Sequence, residues 1–219
     1  MAPKPPHVVR VWDLPTRLFH WALAVLVSFS WISGQFGGRD WLEWHFRSGY
    51  SVLALIVFRL LWGFAGDRYA RFANFSPSLV RAWNYVRNPA PSTGHSPLGA
   101  LSVYALLLAT GLQAITGLLS SDGDFTEGPW AIFVSERTVH RMSSLHSINR
   151  WMLLALVTVH LAAIVGYSAA RGKDTAFAML TGSRVGMAVD PADDDRLTRL
   201  RAALLFVLAG LLVGYVVQL

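Results

Sequence analysis

The chain has 219 residues, of which 53% are hydrophobic and 15% are charged, with a formal net charge of +6 and no cysteine. So small a charged fraction favours a membrane protein with several spans over a soluble domain. The lack of cysteine excludes disulfides, thiolate iron–sulfur ligation and CxxCH attachment of haem within this chain, and basic residues placed between apolar segments indicate membrane topology rather than nucleic-acid binding.

Five apolar segments are long enough to cross a membrane as helices, which takes about 20 residues. A basic, proline-rich lead-in, residues 1–15, precedes them, and we expect residues 1–12 to be disordered or interfacial. Asp13 followed by Pro15 predicts the first helix start. The first four spans form the predicted core, residues 16–170, whereas the fifth has no histidine and is predicted to be an accessory helix. The predicted spans are residues 16–36, 45–66, 97–119, 145–170 and 202–219.

The connections between the spans differ in charge. Residues 39–44 and 120–144 have the more acidic balance, whereas residues 67–96 are rich in arginine and include a predicted short surface helix at 77–86. The polar segment 171–201 begins with further basic residues. Because basic connections stay in the cytoplasm, we expect a multi-pass protein of the cytoplasmic (inner) membrane with its N-terminus in the cytoplasm. No cleavable signal peptide is evident.

Four of the seven histidines lie in predicted spans, where an imidazole is costly unless something pairs with it. His146 and His160 lie fourteen residues apart on the fourth span, about 21 Å along a helix and within about 40° of the same face. His45 begins the second span at the same membrane edge as His146. His20 lies near the other membrane edge, as does His160. The histidines therefore form two pairs matched in depth, one near each membrane surface.

Two neutral imidazoles on opposite sides of a macrocycle hold six-coordinate haem b, which favours electron transfer over oxygen binding. Two such groups roughly 20 Å apart would carry electrons across the membrane. A single histidine in a span is more often a packed, hydrogen-bonded residue, but four that pair by depth favour ligation. We expect His7 to be solvated and His140, in the outer connection, to have no ligand role.

Three further residues have positions that suit a haem site. Gly49, one turn after His45, would let a macrocycle lie against the helix, although simple helix packing explains it equally well. Arg59 shares the face of His45 at the depth of the inner pair and could bind a haem propionate there, or extend its charge to the interface. Arg150, one turn after His146, could bind a propionate of the outer haem in the same way.

Five motifs occur in a fixed order and together resemble prokaryotic cytochrome b561 proteins, which include the b-type cytochrome subunits of nickel–iron hydrogenases. The resemblance covers about residues 10–170 and implies a four-helix core with two haem b groups. It implies the same four ligands: His20 and His160 for the inner haem iron, and His45 and His146 for the outer. The motifs are WDLPTRLFHWALA (12–24), HFRSGY (45–50), FRLLWGFAG (58–66), GHSPLGALS (94–102) and LHSINRWMLLALVTVHLAAI (145–164).

His95 lies in the GHSP motif, in which the family usually has Asn where this chain has Ser96. A contact to a haem propionate or to a quinone, or a structural cap, would each account for His95. Asn149 is a further polar candidate for a quinone contact.

The resemblance implies electron exchange between ubiquinone or menaquinone and a redox partner at the outer face, such as a periplasmic cytochrome c or a hydrogenase. A second possibility is a superoxide:quinone oxidoreductase that needs no protein partner, for which an electropositive outer funnel would be favourable. A haem-free transporter would need broken or polar helices at mid-membrane, and the spans show few of them.

Overall fold

A computed structural model describes residues 8–36, 38–90, 92, 94–123, 126–171, 175–185 and 190–218. Nine helices and strands follow one another along the described chain, together with short 3-10 turns at Phe72–Asn74 and Ala131–Phe133. His7 lies outside the described residues. The elements are β1 (Val8–Arg10), α1 (Leu14–Ser33), α2 (Arg39–Ala65), α3 (Leu79–Arg87), α4 (Pro97–Leu118), α5 (Glu136–Arg171), α6 (Thr175–Thr181), β2 (Ser183–Val185) and α7 (Arg196–Val216).

Four of these helices, α2, α4, α5 and α7, are long and apolar enough to cross a membrane. They confirm the prediction of an all-helical, multi-pass membrane protein. Helix α1 has 20 residues, about the length of a span, but lies outside that set of four. The first predicted span therefore stays a prediction. We call the bundle end that carries His20 and His160 the inner end, and the end that carries His45 and His146 the outer end.

Helix α1 begins where the sequence predicts. The buried Asp13 side chain accepts a hydrogen bond from the Thr16 backbone at 2.6 Å, and Pro15 occupies the first turn. The indole of Trp62 on α2 also donates to Asp13, at 3.2 Å. The helix start is thus tied to the neighbouring helix.

Two helices are longer than predicted. Helix α2 begins at Arg39, so residues 39–44 form its first turns rather than a connection. The negative charge of Asp40 in the first turn interacts favourably with the positive end of the helix dipole. Helix α5 begins at Glu136, nine residues before the predicted span. The side chain of Ser135, the residue before it, accepts a hydrogen bond from the Thr138 backbone and so caps the helix. The third connection is therefore shorter than expected.

Helix α7 belongs to the main hydrophobic core, which differs from the expected accessory helix. Ala202 and Ala209, both buried and seven residues apart on one face, pack in a cluster with Phe58 and Trp62 of α2 and Phe19 of α1. Small residues on that face let two helices approach closely. The fifth apolar segment therefore completes the packing around α2.

Residues 8–10 of the lead-in and the described part of the polar segment before α7 contain structure beyond what the sequence predicts. Strand β1 pairs antiparallel with β2, with Val9 opposite Arg184. Asp194, whose side chain is 1% exposed, accepts hydrogen bonds from Arg10 at 2.7 Å, Arg199 at 2.9 Å and the Leu14 backbone at 3.3 Å. We call residues 175–185 and 190–195 the strap, because they bind the N-terminal segment at the inner end.

Candidate functional site

A cavity of about 260 Å³ lies at the outer end of the bundle, between α1, α2, α4 and α5. It contains both outer histidines, His45 from α2 and His146 from α5. Their ring centroids are 6.1 Å apart and the ring planes are nearly perpendicular, at 86°. The structure thus brings together two residues that are 101 positions apart in the sequence.

Each outer histidine donates its Nδ1 hydrogen to a backbone carbonyl. His45 Nδ1 lies 2.8 Å from the Ser30 carbonyl of α1, and His146 Nδ1 lies 3.0 Å from the Gln113 carbonyl of α4. Because a carbonyl only accepts, the hydrogen must be on Nδ1, and Nε2 of a neutral ring keeps its lone pair for a metal. Fixing the tautomer from behind is how proteins prepare histidine ligands.

A glycine supports each of these rings, four residues after the carbonyl that accepts from it. A Cβ on Gly34 would lie 2.9 Å from His45 Nδ1, and a Cβ on Gly117 would lie 3.1 Å from His146 Cε1. In a helix, the side chain at position i+4 covers the carbonyl of position i. Glycine at i+4 leaves that carbonyl open to the imidazole.

The His146 carbonyl is a further contact point between α4 and α5. The Gln113 side chain donates to the His146 carbonyl at 3.2 Å, and the buried Asn149 donates to the Gln113 side chain at 2.6 Å and to the Ala109 carbonyl at 2.9 Å. The Thr116 hydroxyl lies 3.2 Å from His146 Nδ1. This network orients the ligand helix, and it uses both donors of Asn149, the sequence candidate for a quinone contact.

The inner pair is held by fewer groups. His160 Nδ1 lies 3.2 Å from the Ser102 hydroxyl of α4, a group that can donate or accept. His20 Nδ1 is buried, and no described residue offers it a hydrogen bond. His20 and His160 are close enough for a charge on one ring to act on the other. The structure therefore places them at one level of the bundle, with their tautomers less constrained than those of the outer pair.

Arg59 is buried, with 3% of its surface exposed, and this burial contradicts the alternative in which its charge extends to the interface. Its guanidinium lies 4.7 Å from the ring centroid of Phe72 and 5.9 Å from that of Phe75, and its Nη1 has no hydrogen-bond partner among the described residues. A buried cation with an unused hydrogen-bond donor is costly unless an anion pairs with it. A haem propionate at the inner level would be such an anion.

Two residues of the outer cavity match their predicted places. Gly49 lines the cavity, and a Cβ on it would have no atom within 4 Å, so its face opens onto free space. Arg150 also lines the cavity, and its buried Nε has no partner in the described part of the chain. Both positions suit a macrocycle with a propionate beside it.

His95 lies outside the bundle core, at the inner end and before α4. Its ring stacks on Phe75, with centroids 4.1 Å apart at 25°, and meets Trp12 edge-on at 4.7 Å. Burial, together with the nearby charges of Arg59 and Arg184, lowers the pKa of His95 to about 3. The ring is therefore neutral at physiological pH and can both donate and accept a hydrogen bond.

The residues of the outer cavity fit haem b. Metal–imidazole nitrogen bonds are about 2.0 Å long, so two rings on one metal ion have centres roughly 6 Å apart, and the observed separation is 6.1 Å. A guanidinium nitrogen without a hydrogen-bond partner among the described residues, a glycine that faces free space and two rings that commit Nδ1 to a carbonyl complete the set. At the inner end, the fit rests on His20, His160 and the buried Arg59. His140 is exposed on α5.

A family model described as prokaryotic cytochrome b561 matches residues 11–182. The chain belongs to the prokaryotic cytochrome b561 family. Membership implies haem b and a role in electron transfer, and it confirms the resemblance seen in the motifs. The family match also extends over α6, past the end of the predicted core.

Several curated relatives are named as probable Ni/Fe-hydrogenase B-type cytochrome subunits. The protein of Azotobacter chroococcum is 24% identical over 216 residues, which cover 81% of this chain and 87% of that protein. The protein of Rhizobium leguminosarum is 23% identical, covering 81% and 89%, and that of Escherichia coli K12 is 23% identical, covering 68% and 79%. No solved structure matches the chain.

Proposed function

We propose that this cytochrome b561 protein holds two b haems and transfers electrons between the membrane quinone pool and a redox partner at the outer face. The observation that supports this proposal best is the outer pair of histidines. Their imidazole rings come from different helices, their centroids are 6.1 Å apart, as two ligands of one metal ion require, and each ring donates its Nδ1 hydrogen to a carbonyl. Haem b, when bound, supplies a one-electron iron couple.

The chain's own residues have separate tasks in this proposal. Histidine pairs fix the two redox levels of the bundle, and occupation of both axial positions favours outer-sphere electron transfer. Arg59 and Arg150 provide positive charge at the inner and outer levels, which favours the reduced state of a nearby couple. The apolar walls around Val27, Leu53 and Leu153 limit water near the outer level.

For the quinone, we propose ubiquinone or menaquinone at the inner end, with His95 as the polar contact. His95 can donate to or accept from a quinone oxygen because its ring is neutral, and Trp12 and Phe75 offer flat apolar surfaces beside it. A purely structural cap remains the competing interpretation. Reduction by quinol that fails with His95→Gln, while both haems stay bound, would support the contact.

At the outer face we propose a protein partner, of which a hydrogenase is the first candidate because the relatives named above are hydrogenase cytochrome subunits. A groove beside the outer cavity has three acidic side chains, Asp122, Glu127 and Glu136, in a lining that is otherwise mostly small or apolar. An acidic rim repels superoxide and suits a partner with basic residues, such as a periplasmic cytochrome c. It therefore disfavours the superoxide-oxidising alternative.

The test is a pyridine haemochrome assay with a redox titration on the purified protein. Two b haems per chain with two resolved midpoint potentials would support the proposal, and one haem or none would contradict it. Stopped-flow reduction by quinol, compared with reduction by superoxide at equal haem concentration, then separates the two functions. Faster reduction by superoxide than by quinol would favour the alternative.

A further inference from the structure

Helix α3 exposes an apolar face at the inner end of the bundle. Ala82 and Tyr85 are buried against the protein, whereas the residues on the other side of the helix are among the most exposed apolar side chains. They point away from the bundle and have no packing neighbour that would bury them in the described part of the chain. These residues are Leu79, Val80, Trp83 and Val86, with exposed fractions of 78%, 70%, 60% and 55%.

The contacts of α3 fix its level relative to the membrane. The helix packs on α4, and the Tyr85 hydroxyl lies 2.7 Å from the hydroxyl of Tyr167, four residues before the end of α5. Tyr167 and the start of α4 at Pro97 lie at the inner ends of apolar helices long enough to span. Helix α3 therefore lies at the boundary between hydrocarbon and water, beside the bundle.

The charge around α3 is one-sided. Residues 68–90 contain four arginines and no acidic residue. Arg87 lies over the ring of Trp83, 5.2 Å from its centroid, and Arg81 donates to the carbonyl and hydroxyl of Ser76 at 2.7 and 2.9 Å. Both arginines are exposed, next to the apolar face.

We propose that α3 is an interfacial helix whose apolar face enters the same bilayer that the bundle spans, with Arg81 and Arg87 among anionic lipid headgroups. A helix with an exposed apolar face, Arg87 at the C-terminal end of that face and Arg81 outside it has the features of a membrane-surface helix. Each basic residue near an anionic surface contributes attraction. The occupant is lipid rather than a protein because the face lies at bilayer level, next to the exposed Leu98 of α4 and Val165 of α5.

The experiment uses the absence of cysteine, which allows single labels without a background. We would place one spin label at Val86→Cys on the apolar face and one at Asn84→Cys, an exposed polar position about 200° away from Val86 around the helix. The full-length proteins are reconstituted in nanodiscs of phosphatidylglycerol and of phosphatidylcholine. Power saturation then compares accessibility to oxygen with accessibility to a water-soluble nickel complex.

In phosphatidylglycerol we expect the Val86 label to show severalfold greater oxygen accessibility, relative to nickel, than the Asn84 label. In phosphatidylcholine, or with Arg81→Gln and Arg87→Gln together, we expect that contrast to fall by at least half. Equal nickel accessibility at both positions in phosphatidylglycerol would overturn the proposal. The proposal would also be overturned if the difference between the two labels were the same in both lipids. It would be overturned as well if the Val86 label became protected from the nickel complex only after a protein partner is added. Haem content is measured in parallel, so failure here is distinct from failure of the proposed function.

Discussion

The two ends of the bundle hold their histidines by different means. At the outer end, both Nδ1 atoms donate to helix carbonyls, and Gly34 and Gly117 make room for the rings. At the inner end, the Ser102 hydroxyl lies within hydrogen-bond distance of His160 Nδ1, whereas no described residue hydrogen-bonds to His20 Nδ1. Backbone atoms are held by the helices themselves, whereas a hydroxyl rotates. The outer site is therefore preorganised by main chain and the inner one by side chains.

The largest expected effect is the loss of one haem on removal of a ligand. We expect His45→Ala and His146→Ala each to lose the outer haem and keep the inner one, and His20→Ala and His160→Ala to do the reverse. Removing one axial imidazole leaves a site that cannot complete six-coordination. Haem content per chain and the redox titration measure the result.

The exposed His140→Ala is the matched control for those variants and should keep two haems. Loss of the same haem from both His45→Ala and His160→Ala would contradict the pairing by level.

The next effect concerns the glycines behind the outer rings. We expect Gly34→Ala and Gly117→Ala to weaken outer haem binding by about 10-fold to 100-fold, because crowding a packed site costs about 1–3 kcal/mol. Gly166→Ala on α5 is the control, since its Cβ would meet nothing within 4 Å. Haem transfer to apomyoglobin measures the affinity of each site. If the inner haem leaves faster instead, the assignment of these glycines to the outer end is wrong.

The third effect compares the positive charges of the buried Arg59 and the half-buried Arg150. Arg59→Gln should lower the midpoint potential of the inner haem by tens of millivolts, and Arg150→Gln that of the outer haem, because removing a cation disfavours the reduced state. Arg59→Lys keeps the charge and should restore most of the potential. Resolved redox titrations measure both values. An Arg59→Gln variant that binds both haems and leaves both potentials unchanged would exclude the propionate contact.

The fourth effect concerns the strap that closes the inner end. Burial acts to raise the pKa of Asp194, but hydrogen bonds from Arg199 and the Leu14 backbone and the charges of Arg199 and Arg10 outweigh it and lower that pKa below 3.8. A lowered carboxylate pKa stabilises the fold above pH 3.8, and the contribution is lost as the pH falls through the folded value.

Asp194→Asn should therefore lower the Tm by a few degrees at pH 7, at roughly 2–4 °C per kcal/mol for a chain of this length, and the difference should shrink below pH 3.8. Asp190→Asn is the control, because its ion pair with Arg68 is exposed and exposed pairs contribute little. Thermal unfolding followed by circular dichroism measures both. A Tm change for Asp194→Asn at pH 7 that is no larger than that for Asp190→Asn would mean that the ion pairs of Asp194 do not stabilise the inner end.

Much of this arrangement could be predicted from residue spacing. Hydropathy predicts the apolar helices, and depth matching pairs the four histidines, because both depend only on position along a helix. The carbonyl acceptors could not be predicted in that way, since rotation of α1 against α2 and of α4 against α5 decides which carbonyl faces a ring. One signal was present: Ser30 with Gly34 and Gln113 with Gly117 repeat the same four-residue spacing on two spans. The strap was missed because β1 and β2 are short and more than 170 residues apart.

The smallest effect gives the sharpest test of the comparison between the two ends. Ser102 and Thr116 both place a hydroxyl 3.2 Å from the Nδ1 of a histidine, but within the described residues only His146 also has a carbonyl acceptor. Ser102→Ala should raise the rate of inner haem loss by about 10-fold, at the low end of effects for groups that orient a ligand. Thr116→Ala should change the rate of outer haem loss by less than about threefold, because the Gln113 carbonyl still fixes the tautomer. Apomyoglobin capture measures both rates, and equal changes would mean that main-chain and side-chain acceptors hold these histidines equally well.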